Sequence, residues 1–204
     1  YCNALKPIVG APLACPKGGG DCNDLDHSVN PGAAETCNNV DDNCNNSTDE
    51  GVKSPCGGCT PVCTMGSGTG MPLPFSNATL EGGAVLNEAS LTLMANATNG
   101  CLKQVYEGWE TQATQWMQVG LTFDTPEKTS VTLRARAAEG LGALATKQWT
   151  PVFGPYPPAL PPANLSQYGK VIGRFLEVEV CLTTSTPGSA PVVDAVQIVA
   201  TPFQ

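Results

Sequence analysis

Oxygen-bearing side chains are concentrated in one segment, residues 21–51. Its sequence is DCNDLDHSVNPGAAETCNNVDDNCNNSTDEG, with eight carboxylates, three cysteines and neither lysine nor arginine. The rest of the chain has ten acidic and ten basic residues, so this segment alone accounts for the formal net charge of −8. Like charges at this density repel one another unless a cation lies among them. Carboxylate and amide oxygens are the ligands that calcium prefers, and the segment therefore predicts a calcium site.

The first half of the segment has the ligand offsets of a twelve-residue calcium loop. If Asp24 is position 1, then Asp26 is position 3, Asn30 is position 7 and Glu35 is position 12. These are positions from which side chains or carbonyls bind calcium in such loops. Glycine is missing at position 6, so the loop is not an EF-hand, and we expect no flanking helices.

The second half of the segment offers another set of oxygens at intervals of two residues. Its candidate ligands are Asp41, Asn43, Asn45, Asp49 and Glu50. Asparagine in place of aspartate lowers the ligand charge, so we expect a weak, extracellular-range affinity, on the order of 10⁻⁴ to 10⁻³ M. The spacing leaves open whether one or two calcium ions bind.

The segment also resembles a known repeat. The pattern D-C-N-D-x-D-x-x-V-x-P-G-A-x-E-x-C-N-x-x-D-D-N-C-N-x-x-x-D-E is similar to the MopE-type metal-binding repeat of secreted bacterial surface proteins, over roughly residues 13–51. The chain has asparagine at several positions where that family often has aspartate or glycine. The resemblance implies calcium, and not copper, bound by Asp21, Asn23, Asp24, Asp26, Glu35, Asp41, Asn43, Asn45, Asp49 and Glu50.

Copper binding is kept as an alternative. Copper prefers imidazole, thiolate or thioether ligands. The chain has a single histidine, His27, which lies in the oxygen-rich loop, while Met65 and Met71 lie some forty residues away in the sequence. A copper site would need a second soft ligand near His27.

Cysteine content and composition divide the chain into two parts. Eight of the ten cysteines precede a stretch rich in glycine, serine and proline. We predict a cysteine-rich calcium-binding domain at 1–63, a linker at 64–74 and a β domain at 75–204. This cysteine content fits an oxidising, extracellular location. The chain begins at a tyrosine with no signal-like segment, so we expect a mature secreted product.

The cysteines are expected to form structural disulfides. The C-x-x-C pair at Cys56 and Cys59 lacks the βαβ setting of a redox site. Local spacing favours Cys15–Cys22 and Cys37–Cys44, although many pairings remain open among Cys2, Cys15, Cys22, Cys37, Cys44, Cys56, Cys59 and Cys63. Cys101 and Cys181 are predicted to pair with each other because they are the two cysteines beyond the linker.

The C-terminal part alternates apolar and polar residues over several short runs. Val131, Leu133 and Ala135 alternate with polar residues. In the same way, Leu176, Val178, Val180 and Leu182 interleave with Phe175, Glu177, Glu179 and Cys181 and give a strand with one apolar face. Clusters of glycine and proline separate the runs, and no long helical pattern occurs. These features predict a mainly β fold, an antiparallel β-sandwich of jelly-roll or immunoglobulin-like topology.

Composition also limits the functional classes. The acidic balance argues against nucleic acid as a partner, and no apolar run is long enough for a membrane span. With one histidine there is no catalytic triad in the β domain, and Glu177 and Glu179 are interpreted as a solvated strand face, so we expect no enzyme. The main hypothesis is a secreted, calcium-stabilised structural protein that self-associates into an extracellular filament or surface assembly.

A carbohydrate-binding or adhesive module is the alternative hypothesis. Aromatic side chains on a β-sandwich can stack on sugar rings. The candidates are Trp109, Trp116, Trp149, Tyr106, Tyr156 and Tyr168. Burial of all three tryptophans would count against a glycan partner, whereas exposed aromatics beside polar side chains would favour one.

Overall fold

The structure is a computed structural model, and it describes residues 20–23, 25–156, 162–169 and 171–203. The chain divides into two compact units, Tyr1–Cys59 and Thr60–Gln204. Within the described ranges, no helix is both long and apolar enough to cross a membrane.

The described part of the first unit is built from turns and bends. From Gly20 to Cys59, the described residues form neither helix nor strand. Over the same residues Val29 is the one buried apolar side chain, whereas Asp42, Asp49 and Ser54 are buried polar ones. Burial of hydrocarbon is the usual driving force of folding. Because so little of it occurs here, this unit depends on hydrogen bonds and covalent links.

The second unit is built from short strands, as the sequence predicted. Its described residues form three short 3-10 helices, Phe75–Asn77, Leu141–Thr146 and Leu165–Tyr168. They also form eleven strands: β1 (Cys63–Gly68), β2 (Thr79–Gly82), β3 (Ala84–Asn87), β4 (Ser90–Leu93), β5 (Asn99–Glu107), β6 (Thr114–Asp124), β7 (Thr129–Ala138), β8 (Phe153–Tyr156), β9 (Ala163–Asn164), β10 (Phe175–Thr184) and β11 (Val192–Pro202).

The strands pair into two antiparallel sheets that share one core. One sheet has the order β3-β4-β11-β6-β9, with β1 also paired to β11, and the other has the order β2-β5-β10-β7-β8. Apolar side chains are buried at alternate positions along β5, β7 and β10; in β10 these are Leu176, Val178, Val180 and Leu182. Trp116 and Tyr106 are the largest fully buried side chains, and they come from different sheets. The predicted mainly β fold with two packed antiparallel sheets is confirmed.

The strand order decides between the two topologies that the sequence left open. From β4 to β11 the chain changes sheet at every step except β7 to β8, which pair with each other. The two four-stranded sets are therefore β4-β11-β6-β9 and β5-β10-β7-β8. Eight strands alternating in this way make a jelly roll, so the immunoglobulin-like alternative does not apply.

β1 lies inside the stretch that was predicted as a linker. It pairs antiparallel with β11, from Cys63 opposite Ala200 to Gly68 opposite Ala195. A Cβ atom on Gly66 would collide with the Val196 carbonyl oxygen, and one on Gly68 with the Asp194 carbonyl oxygen. These glycines permit close approach of two backbones, although in the sequence they look like flexible spacers.

The outer face of β10 also differs from the expectation. Glu177 and Glu179 were interpreted as a solvated face, but Glu179 is only 5% exposed. Its carboxylate pairs with Arg134 and lies 3.7 Å from Lys103 Nζ, while Glu177 Oε2 lies 2.5 Å from Arg136 Nη2. The ion pairs with lysine and arginine side chains on the neighbouring strands allow these carboxylates to be buried.

Candidate metal centre

Asparagine and aspartate oxygens organise the loops of the first unit. Each of several side chains accepts a hydrogen bond from the backbone N–H two residues later, which makes an Asx turn. The acceptors are Asp21, Asn23, Asp26, Asn30, Asn38, Asn43 and Asn45. The alternate spacing that predicted cation ligands is therefore also the spacing that turns the backbone.

Asp49 is the buried centre of this unit. Its side chain is fully buried. Oδ1 accepts hydrogen bonds from the backbone nitrogens of Asn38, at 2.8 Å, and Asn39, at 2.9 Å. Asp49 was predicted as a calcium ligand, and the structure places it as an anchor that joins residues 38–39 to residue 49.

Glu35 contacts the backbone at two positions of the second loop. Its Oε1 accepts from the backbone nitrogen of Asn43 and its Oε2 from that of Asp49, each at 2.9 Å. The sequence analysis assigned Glu35 to the first loop as its final ligand. In the structure both of its oxygens contact the second loop, although each oxygen keeps a lone pair that a cation could use.

Asp42 is a residue that sequence reasoning missed. It is 5% exposed, and its carboxylate accepts hydrogen bonds from the backbone N–H, at 2.9 Å, and hydroxyl of Thr36 and from the side-chain amide of Asn38. The carbonyl oxygen of Asp42 also accepts from the backbone nitrogen of Asn30, at 2.8 Å. The only signal for Asp42 in the sequence is its position next to Asp41. Because the predicted ligands are two residues apart, Asp42 falls between two of them and was not counted as a ligand.

Asn43, Asn45 and Glu50 converge on one point. The side-chain amides of Asn43 and Asn45 both contact Glu50 Oε1, the first at 2.5 Å. The other carboxylate oxygen, Glu50 Oε2, is buried and has no hydrogen-bond partner among the described residues. Each amide oxygen accepts the backbone N–H two residues later and keeps one lone pair that a cation could use.

Asp41 closes this second loop. Its Oδ1 accepts from the backbone nitrogen of Asn45, at 3.1 Å, and its Oδ2 from that of Asn46, at 2.7 Å. Asn39, Asn46 and Asp49 adopt positive φ angles of 63°, 70° and 52°, a conformation that asparagine and aspartate tolerate better than most residues. The sequence therefore holds Asp41, Asn43, Asn45 and Glu50 around one turn.

The first loop is only partly assembled by the described contacts. Asp21, Asn23, Asp26 and Asn30 each make their own Asx turn. No hydrogen bond between described residues joins two of these four side chains to each other, and Asp24 lies outside the described residues. The twelve-residue loop from Asp24 to Glu35 stays a prediction.

The disulfides of this unit differ from the predicted local pairs. Two bonds of this unit join described residues to each other, Cys22–Cys44 and Cys37–Cys59. The predicted Cys37–Cys44 bond is therefore wrong, and so is Cys15–Cys22, whose first member lies outside the described residues. The Asp49 carboxylate accepts from the backbone nitrogen of Asn38 and lies 3.8 Å from Cys59 Sγ, so Cys37, next to Asn38, is held beside Cys59 and pairs with it instead of Cys44. Both bonds span 22 residues, and that equal spacing was the missed signal.

The other cysteines among the described residues are disulfide-bonded, as expected. Cys101–Cys181 forms as predicted, and Cys56 and Cys63 are also disulfide-bonded. Cys37, Asp49 and Cys59 lie close enough together to suggest a thiolate metal site. Their two sulfurs are joined to each other, and a disulfide cannot supply the thiolate that such a site requires.

Three carboxylates of this unit have lowered pKa values. Hydrogen bonds from Thr36 and Asn38 lower the pKa of Asp42, and hydrogen bonds from Ser28 lower that of Asp26. Hydrogen bonds from Asn43 and Asn45 lower the pKa of Glu50 against the opposing effect of desolvation. A hydrogen bond to the ionised form favours that form, so the loops are built for charged carboxylates.

Acid is therefore expected to loosen this unit. A carboxylate whose pKa is lowered by folding contributes stability above its unfolded pKa, near 4, and loses it as the pH falls through the lower folded value. Stability should be flat from about pH 7 to 5 and fall below about pH 4. Hydrogen exchange at the Thr36 and Ser28 amides, measured against pH in EDTA, checks this. Thr36→Val should raise the Asp42 pKa, and an unchanged carboxyl titration would contradict the assigned cause.

Most of the candidate aromatic platform is buried. Trp109, Trp116, Tyr106 and Tyr156 are each at most 8% exposed and belong to the core. Trp149 is partly exposed, and the guanidinium groups of Arg134 and Arg136 lie 4.6 and 4.2 Å from its ring centre. Tyr168 is 51% exposed. Of the six aromatics that the sequence nominated, only Trp149 and Tyr168 reach the surface.

Comparisons with known proteins agree with the metal-binding interpretation of the first unit. Residues 21–50 match the Cu-binding MopE family model, which is described as a metal-binding motif. No curated protein sequence matches the chain.

Solved structures with a similar fold include two proteins of carbohydrate chemistry. One is a family two carbohydrate esterase from Cellvibrio japonicus, with 10% identity and a TM-score of 0.39 over 70% of this chain and 35% of the esterase. The other is TmCBM61 in complex with β-1,4-galactotriose, with 10% identity and a TM-score of 0.34 over 68% of this chain and 88% of that one. The chain thus spans about a third of the esterase's length.

Proposed function

We propose that residues 21–50 bind calcium and that the bound ion holds the loops of the first unit in shape. The observation that carries this proposal is the convergence of Asn43, Asn45 and Glu50, with one Glu50 oxygen buried and without a hydrogen-bond partner in the part of the chain that the structure describes. A cation at this point would receive that oxygen and the amide oxygens of both asparagines. Asp41 closes the same loop and would add charge.

The donor set decides which metal fits. Every converging side chain supplies oxygen, which suits a hard cation such as calcium and is a poor match for copper. His27, the only imidazole in the chain, is exposed. Its neighbours in the loop, Asp26 and Ser28, supply oxygen ligands. Calcium thus fits the residues present better than the metal in the family model's name.

The role that fits such a site is structural. The first unit has almost no hydrophobic core in its described part, and the disulfides Cys22–Cys44 and Cys37–Cys59 belong to an oxidising compartment. We propose a secreted, non-enzymatic protein in which calcium and disulfides together replace a core. Its assembly into an extracellular filament stays a prediction from the sequence.

A calcium titration of single variants tests the proposal. We expect the unaltered protein to bind calcium with a Kd on the order of 10⁻⁴ to 10⁻³ M, measured by calorimetry. Glu50→Gln should weaken binding at least about tenfold, because it removes the only carboxylate among the converging groups. Glu110→Gln, an exposed change in the β-sandwich with the same loss of charge, is the control.

Two outcomes would overturn it. One is the absence of calcium binding at millimolar concentrations while the disulfides are intact. The other is an equal loss of affinity in Glu50→Gln and Glu110→Gln, which would indicate nonspecific attraction to an acidic chain. Tight copper binding that depends on His27 would instead favour the copper alternative.

A further inference from the structure

An open groove lies at the edge of the second sheet, beside the end of β7. It encloses about 380 Å³. Ala135, Ala137, Trp149 and Tyr168 are among the residues that line it. We refer to it as the Trp149 groove. It belongs to the second unit and does not depend on the cation site proposed above.

The charge of this groove is opposite to that of the chain. Its described lining includes Arg136 and Lys147 and contains no aspartate or glutamate. The chain as a whole has a formal net charge of −8. Glu177, on β10, pairs with Arg136 and offsets part of its charge, whereas Lys147 is exposed. Such a groove favours an anionic ligand.

Arg136 is held in one position before any ligand arrives. Its Nε and Nη2 contact Glu177, its Nη1 donates to the Ala145 carbonyl oxygen at 3.3 Å, and its guanidinium stacks 4.2 Å from the Trp149 ring centre. These contacts use three of its five N–H groups. The other two make no hydrogen bond to a described residue and can donate to a carboxylate. A fixed donor costs less entropy on binding than a mobile one.

Two aromatic rings and an amide accompany the cations. Tyr168 is half-exposed, and its ring is steadied by an edge contact with Phe153, with ring centres 5.3 Å apart. Gln148 is exposed and adds a side-chain amide to the lining. Sugar rings present apolar C–H faces to aromatic rings and hydroxyls to amides. Few convergent polar groups beside apolar walls are typical of small-ligand sites.

We propose that the Trp149 groove binds an acidic saccharide, a glycan whose sugars carry carboxylates. The carboxylate contacts Lys147 and the remaining N–H groups of Arg136. The sugar ring packs against Tyr168 and the exposed part of Trp149, and Gln148 contacts its hydroxyls. A saccharide is favoured over an acidic peptide because the aromatic walls would be left uncovered by a carboxylate side chain alone.

Matched trisaccharides test the proposal. Calorimetric titration with β-1,4-trimannuronate is compared with β-1,4-mannotriose, which has the same linkage and ring but no carboxylates. We expect the acidic trimer to bind and the neutral one to bind at least about tenfold more weakly. Lys147→Gln and Tyr168→Ala should each reduce affinity for the acidic trimer about tenfold. The control is Lys128→Gln, an exposed lysine in the turn before β7, at the far end of that strand from the groove.

Each alternative result has a defined meaning. Failure of trimannuronate to bind at millimolar concentration would overturn the proposal, as would equal binding of both trimers. An equal loss of affinity in Lys128→Gln and Lys147→Gln would show that the acidic trimer is attracted nonspecifically to positive charge. That result would also overturn the proposal. Binding of a glutamate oligopeptide as tight as that of trimannuronate would assign the groove to acidic peptides instead. Thermal unfolding shows whether each variant remains folded.

Discussion

Replacing both Cys101 and Cys181 by alanine is expected to lower the free energy of unfolding of the β-sandwich by about 4 kcal/mol. The two residues lie directly opposite each other on β5 and β10, the neighbouring strands inside one sheet. Their bond closes a loop of 80 residues. A link over such a distance removes much of the freedom of the unfolded chain. For a unit of this size the loss corresponds to a fall in Tm of roughly 10 °C.

Unfolding in guanidinium with the other disulfides intact measures this loss. Fluorescence of Trp109 and Trp116 reports on the β-sandwich, because both rings lie in its core. The control is a double change of Ser130 and Thr183 to alanine, which removes a cross-strand hydroxyl contact at the exposed surface and should cost under about 1 kcal/mol. A loss below about 1 kcal/mol for the cysteine pair would show that the bond restricts the unfolded chain little.

The sandwich could be predicted from the sequence because burial alternates along strands such as β7 and β10. Apolar alternation at 131–135 and 176–182 fixed which side chains face the core, and these residues are buried. Strand order was not predictable by the same means, because alternation describes the faces of a strand and leaves its neighbours undefined. The jelly-roll order depends on which edges meet across the whole unit.

The strand β1 was not predicted from the sequence, for a different reason. Its sequence, CTMGSG, contains two glycines and a serine, which in isolation indicate a flexible connection. The glycines of β1 are required by the close approach of β11. A steric requirement of this kind comes from the partner strand, and it leaves no pattern in the segment itself.

The candidate metal centre was predictable in part. The ligand spacing identified Asn43, Asn45 and Glu50, which do converge. The same spacing also included Asp49, whose oxygens contact backbone amides. Aspartate and asparagine accept backbone N–H groups at the intervals at which they bind cations. Spacing alone therefore cannot separate a residue that shapes the loop from one that holds the ion.

Asp49→Ala separates these two roles, and it is expected to destabilise the first unit by about 3 kcal/mol. The change leaves the backbone N–H groups of Asn38 and Asn39 without their acceptor. Hydrogen bonds to a charged group are worth roughly 1.5 to 3 kcal/mol each. Hydrogen exchange at those two amides should accelerate about 100-fold in EDTA, where no ion contributes.

The comparison between calcium-loaded and calcium-free protein decides the interpretation. An anchoring role predicts faster exchange at Asn38 and Asn39 in both states. If Asp49 is instead a calcium ligand, Asp49→Ala should exchange faster than the unaltered protein only when calcium is present. Without calcium, the unaltered protein also lacks the contact between Asp49 and the ion, so the two proteins should exchange alike. Asp124→Asn, an exposed change at the end of β6, controls for net charge and should alter neither rate. Unchanged exchange of the Asn38 and Asn39 amides in EDTA would contradict the anchoring role and favour Asp49 as a calcium ligand. Removing the acceptor of these two amides would otherwise expose them to solvent.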